Sequence, residues 1–249
     1  MTLLFSIFVI CLGLFVGMLI GIIGVGGVIL VPVLSYVGGV PIKAAIAAAM
    51  MGYLLTGLLG TAIYMRQGSI RWSMATWLCL GAMPAAFVGA WTTNTVASSF
   101  LESLIALLTI SVGLRSLVGQ AEGAGGQTDL SKLSLLLIGG MTGFGSAITG
   151  TGGPLILVPT MVWLKVPILT AIGLSQVIQF PIATLATIGN IIYAEPDFVL
   201  GACVGVGLAA GATVGATIAH RLPTEFLRRL VSIMLIGVGT AMIAKILFG

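Results

Sequence analysis

Charge is what this chain lacks. Only 6% of its 249 residues are Asp, Glu, Lys or Arg, where a soluble domain carries about 25%. So few charges cannot clothe a water-facing surface, and lipid is the natural solvent. Histidine is limited to His220, and no apolar run carries a carboxylate or histidine near its centre. That excludes the paired acids and bases, or nucleophile and base, that an enzyme site needs. There is no P-loop, so direct drive by ATP is excluded. The glycine clusters lack the strand–helix setting and downstream acid of a dinucleotide fingerprint. Cys11, Cys79 and Cys203 lie in separate apolar segments, which fits neither a disulfide framework nor a metal site. The expectation is no metal and no cofactor. The basic residues sit singly between apolar runs, a pattern of juxtamembrane anchors and not of a nucleic-acid surface.

Long hydrophobic runs are what the chain has. Segments near 20 residues, the length that spans hydrocarbon as a helix, recur from end to end. They are continuous and do not alternate, so a β-barrel is excluded. The first run, MTLLFSIFVICLGLFVGMLIG, has no basic residue before it and reads as a retained membrane helix, not a cleavable leader. The expected fold is an all-α polytopic membrane protein.

The chain repeats itself. GVGGVILVPVL begins at Gly24 and GTGGPLILVPTM at Gly150, an offset of 126 residues. The same offset pairs Val40-Pro41-Ile42 with Val166-Pro167-Ile168, Val88-Gly89-Ala90 with Val214-Gly215-Ala216, Phe100-Leu101 with Phe226-Leu227, and Val112-Gly113 with Val238-Gly239. Such an offset marks an internal duplication. Residues 1–119 form the first repeat, 133–249 the second, and the polar stretch 120–132 a linker. Each repeat has four long apolar segments and one short one after its glycines. The long ones are Leu3–Ile23, Ala44–Tyr64, Ser73–Trp91 and Phe100–Val118, then Leu133–Thr149, Thr170–Tyr193, Phe198–His220 and Phe226–Phe248. The short ones are Val28–Val37 and Leu155–Leu164.

Whether the short segments cross decides the architecture. If they only dip into the membrane, the ten basic residues divide five against five. If they cross, Arg66, Arg71, Arg115, Lys132, Lys165, Arg221, Arg228 and Arg229 share one face, with Lys43 and Lys245 opposite. Eight against two obeys the positive-inside rule. The expectation is therefore two inverted-topology repeats of five segments each, a cytoplasmic linker, and both termini outside the cytoplasmic (inner) membrane. Lipid-facing and subunit-facing surfaces have the same composition, so a homo-oligomer is compatible with the sequence.

A ten-residue helix rises only about 15 Å, half of a 30 Å core. Each short segment can complete a crossing only if its glycine loop lies within the membrane, with backbone groups facing protein or a water-filled cavity. Interrupted helices at matching positions of inverted halves point to a transporter's substrate site. Both short helices follow their glycines, so their N-termini, with free N–H groups and positive dipole ends, face the loops. Gly24, Gly26, Gly27, Gly150, Gly152 and Gly153 are thus candidate anion ligands, with Thr149 and Thr151 as hydroxyl donors. Close helix packing is the other role such glycines take. Gln176, Gln179, Ala183, Ala186 and Asn190 share a helix face, with Ser175 one turn from Gln179. This face either lines the path or holds helices together. Its counterpart carries Met50 and Tyr53 at the positions of Gln176 and Gln179. Lys43 and Lys165 either draw anions to the entrances or anchor the short segments by snorkelling.

The GVGG…VP pattern, a following Pro-x-x-x-A segment, and the Gly60, Tyr64, Gly68, Ile70, Trp72 stretch resemble the sulfite exporter TauE/SafE family over nearly the full chain. The resemblance implies a membrane transporter for sulfite, small organosulfonates or related small anions. The leading expectation is a secondary transporter of a small anion, working by alternating access between halves. The alternatives are a passive anion channel or facilitator, or a carrier of a small carboxylate. Since nothing acidic lies deep in a predicted crossing, proton movement is expected only on the substrate itself.

Overall fold

The computed structural model describes residues 3–23, 26–117 and 130–218, together with helical residues 233, 236–237 and 239–244. Gly24, most of the linker, the arginines at 221, 228 and 229, His220, Lys245 and most of the last apolar run lie outside the described residues. Nine α-helices can be bounded among them: α1 Leu3–Ile23, α2 Gly27–Tyr36, α3 Ile42–Arg66, α4 Trp72–Thr95, α5 Ser98–Leu117, α6 Lys132–Thr149, α7 Pro154–Trp163, α8 Ile168–Tyr193 and α9 Phe198–Ile218. Six of these, α1, α3, α4, α6, α8 and α9, are long and apolar enough to cross a membrane; α2 and α7 have ten residues each. The protein is an all-α, multi-pass membrane protein.

The helices begin where backbone chemistry allows. Pro41 and Pro167, which lack an N–H, stand at the N-caps of α3 and α8. The Ser131 hydroxyl accepts from Ser134 N–H at the start of α6, and Asp197 Oδ1 accepts from Val199 and Leu200 N–H at the start of α9.

Small residues set the packing. In α1, Gly13, Gly17 and Gly21 recur every fourth position, and in α9 Gly207, Gly211 and Gly215 do the same. The backbones approach so closely that a Cβ on Gly13 would lie 3.0 Å from Val204 O and one on Gly211 2.7 Å from Met18 N. Lipid tails are as apolar as leucine, so such close backbone packing is what favours helix association in a bilayer. The contacts climb together, from Gly13 beside Gly207 to Gly21 beside Gly215, so α1 and α9 run parallel. The same arrangement recurs between α4 and α6: Leu78 lies against Gly139, Ala82 against Gly143, and Gly89 against Phe144 and Ala147.

At the centre, α3 and α8 run antiparallel. Gly57 abuts Phe180, Gly60 abuts Gln176, and Gly173 abuts Ser69 and Ile70. The bundle is thus a row: the α1/α9 pair packs on α3, α3 on α8, and α8 on the α4/α6 pair. Exchanging α1 with α6, α3 with α8 and α4 with α9 returns the same set of neighbours. Helix α5 lies at the margin, with Gly239 against its Ile110 and Ala106.

The antiparallel centre also sorts the charges by end. The α3–α4 turn, with Arg66 and Arg71, lies beside the N-terminal part of α8, which follows Lys165. Lys132 begins α6, which is parallel to α4, and so joins them. At the opposite end Lys43 donates to the carbonyl of Asn94 (3.1 Å), near the C-terminus of α4.

Candidate functional site

The two glycine breaks meet. A Cβ on Gly27, the first residue of α2, would lie 2.7 Å from the carbonyl oxygen of Thr151 in the second break. On Gly150 it would lie 2.6 Å from Val31 Cγ2 of α2. Between them stands Tyr53, fully buried near the middle of α3. Its hydroxyl donates to Gly27 O (3.2 Å), and its ring lies 2.9 Å from where a Gly152 Cβ would be. Tyr53 is eleven positions into α3 from Ile42, and Gln179 eleven into α8 from Ile168, about 16 Å along each axis and so near the midplane of a 30 Å core.

Each glycine solves a local problem. Gly150, Gly152 and Gly153 have φ of 70°, 77° and 112°, the left-handed region where a side chain is strained. Gly150 and Thr151 N–H both bond to Ser146 O, and Ile156 and Leu157 N–H bond to Gly153 O. Gly152 and Gly153 N–H enter none of these turn bonds, and Pro154, at the first position of α7, has no N–H to offer. Gly26 differs: its φ is −101°, and its Cα lies against α1, where a Cβ would meet Val16 O at 2.5 Å. Close packing accounts for Gly26.

The hydroxyls beside the second break are engaged. Thr149 Oγ1 donates to Gly145 O (2.7 Å), and the Thr149 and Thr151 hydroxyls lie 2.9 Å apart. With the Thr149 proton committed, Thr151 donates to Thr149, so both must turn to serve a ligand. Ser175 Oγ likewise donates back to Ile172 O (2.8 Å). Gln179 is different. It is completely buried, and neither its Nε2 nor its Oε1 has a partner in the described structure; Gln176 Nε2 is also unpaired. Asn190 does not join this group. Its Oδ1 accepts from Asn94 Nδ2 (3.3 Å), about 16 Å along α8 from Gln179.

Three residues beyond the sequence expectation belong here. Tyr53 is one, and its signal was its place opposite Gln179 in the repeat. Thr142 and Ser146 are the others: their hydroxyls are buried and unpaired, and a Gly153 Cβ would lie 3.9 Å from Thr142 Cγ2. Their four-residue spacing on the helix leading to Thr149 was a readable signal.

Comparison with known proteins gives this arrangement a lineage. The sequence pattern of the family described as Sulfite exporter TauE/SafE matches residues 9–242. The chain belongs to this family. TauE/SafE membership makes it a membrane transporter in class, and its curated relatives agree. It is 28% identical to the probable membrane transporter protein YdhB of Bacillus subtilis, over 85% of this chain and 89% of that protein. It is 24% identical to YjnA of the same organism, also named a probable membrane transporter protein, over 93% and 98%. A probable membrane transporter protein of Xylella fastidiosa is 27% identical over 78% and 79%. No solved structure matches the chain. Among the described residues, no three His, Cys, Asp or Glu side chains cluster to hold a metal ion.

Proposed function

We propose that this TauE/SafE protein is a secondary transporter that carries a small anion, sulfite or an organosulfonate, across the cytoplasmic membrane. The observation that carries the reading is the meeting of Gly27, Thr151 and Gly152 around Tyr53 in the middle of the bundle. Backbone amides of two short helices, with the buried amide of Gln179, would hold the anion without a buried cation. The second loop is buried, with Thr149 1% and Thr151 3% exposed, so a substrate would reach it only after the bundle opens.

In this reading the two halves are inverted copies. The antiparallel α3 and α8, which occupy matching positions in the repeat, support it; short segments that merely dipped would leave these two helices parallel. The exchange of neighbours between halves supports it too. Arg66, Arg71, Lys132 and Lys165 would face the cytoplasm and Lys43 the outside, with both termini outside. Of the described acidic residues, Glu102 lies in the second turn of α5, and Glu195 and Asp197 lie in the α8–α9 turn, so any proton would travel on the substrate.

Counterflow tests this. Proteoliposomes loaded with unlabelled sulfite should take up external labelled sulfite transiently above equilibrium, with a saturable rate. Flux that is linear in concentration and shows no counterflow would identify a passive pore instead. A parallel screen with sulfate, thiosulfate, sulfoacetate, taurine and small carboxylates as competitors identifies the anion.

A further inference from the structure

A cavity opens at the charged end of the bundle, away from the glycine breaks. Its volume is about 210 Å³, and Arg71, Ser73, Met74, Trp77, Lys132 and Leu135 line it. It sits where α4 and α6, running parallel, begin side by side. Lys132 Nζ stands 5.4 Å from the centroid of the Trp77 ring. Met74 and Leu135 are buried and form an apolar floor; Lys132 is exposed and Arg71 half-buried at the rim.

Among the described residues, the charged side chains that line this cavity are both positive. Helix N-termini carry partial positive charge and favour acidic residues in their first turn. Neither α4 nor α6 has one. Two full cations are added where two positive helix ends already converge, and among the described residues neither Arg71 nor Lys132 forms an ion pair. An anion in the cavity would relieve that repulsion, with guanidinium and hydroxyl donors at hand from Arg71 and Ser73. The apolar floor and the tryptophan suit a ligand whose charged group joins an apolar body at the depth of the membrane interface.

We infer that this cavity is a binding site for a phosphate-class oxyanion, the headgroup of an anionic phospholipid or a free phosphate. It is separate from the glycine breaks and does not depend on the transport reading.

Retention of lipid measured by native mass spectrometry tests it. The purified protein is exchanged into detergent containing equal amounts of dioleoylphosphatidylglycerol and dioleoylphosphatidylcholine. The wild type should retain phosphatidylglycerol in preference, and R71Q/K132Q should lose about ten- to thirtyfold of that preference, the effect of two basic residues on anionic-lipid affinity. The charge-conserving R71K/K132R should keep most of it. A second arm adds inorganic phosphate or glycerol 1-phosphate. Displacement of the lipid only at high concentration identifies a lipid headgroup as the occupant. Protection against heating by the soluble anions alone, lost in R71Q/K132Q, identifies free phosphate. No preference in the wild type together with no protection, or a preference that survives R71Q/K132Q, overturns the site. Unchanged melting in neutral lipid verifies that the variants fold, and the readout is independent of sulfite flux.

Discussion

The two glycine breaks share a sequence pattern, yet they are held in different ways. In the first, Gly26 has ordinary helical geometry and is wedged against the backbone of α1, while Gly27 is capped by the Tyr53 hydroxyl. In the second, three left-handed glycines make an abrupt turn, and threonine hydroxyls are tied to each other. Beside that second break the Thr142 and Ser146 hydroxyls are unpaired, as is the amide of Gln179 on α8. One break is therefore packed as scaffold, and the other has polar groups without partners. Buried polar groups are nearly always hydrogen-bonded, and each exception calls for an explanation. In the proposed transporter, a duplicated unit would supply the geometry twice, and divergence between the copies would leave most of the ligand chemistry to one.

The largest effect is expected where a side chain would fill the second break. Gly152→Leu strains a left-handed residue and drives the side chain into Tyr53. Loss of about 3 kcal/mol of substrate binding, about a hundredfold, is expected, while the protein still elutes as a folded species. Gly39 and Gly68 separate strain from filling: their φ values of 68° and 67° are nearly the same, but nothing lies within 4 Å of an added Cβ. Gly39→Leu and Gly68→Leu should cost about 1–2 kcal/mol of stability through the backbone alone and leave binding near wild type. Equal loss of binding at all three sites would make backbone strain, and not filling of the second break, the cause of the Gly152→Leu effect.

Much of this was legible from apolar length. Leu3–Ile23 is the helix the sequence suggests, and Thr170–Tyr193 differs from Ile168–Tyr193 only by a start at Pro167. Ala44–Tyr64 extends to Ile42–Arg66 because Lys43 and Arg66 continue the helix while their heads reach the ends of the bundle. The position of the glycine breaks was legible because the pattern occurs twice. The partners were not. Gly13, Gly17 and Gly21 announce a packing face, but spacing alone cannot say that it meets α9, nearly two hundred residues later. Nor can it say that Gly26 serves packing while the Gly152 amide stays outside the turn's hydrogen bonds among the described residues. Those differences depend on which helix passes behind each loop, and that is set by the assembly of both halves.

Gln179 offers an intermediate effect with opposite signs in two assays. An unsatisfied buried amide costs about 1–3 kcal/mol, and both polar atoms of Gln179 are unpaired. Gln179→Leu should therefore raise the melting temperature in neutral lipid while lowering sulfite counterflow by roughly tenfold or more, the stability–function opposition expected of a ligand-facing group. A variant that melts higher and transports normally would make the glutamine a packing residue and return the second break to scaffold status.

The smallest effect belongs to the first break. Tyr53→Phe keeps the ring against Gly152 and removes only the bond to Gly27 O. A neutral hydrogen bond contributes about 0.5–1.5 kcal/mol net, so a loss of that size in stability is expected, with binding changed by no more than a few-fold. Tyr53→Ala empties the space between the breaks and costs more, about 3 kcal/mol or above for a buried aromatic. If Tyr53→Phe instead abolished counterflow while melting normally, the phenol would itself be a substrate ligand. Both breaks would then contribute directly to binding, and the division between scaffold and ligand chemistry would have to be redrawn to include Tyr53 beside Gln179, its counterpart in the repeat.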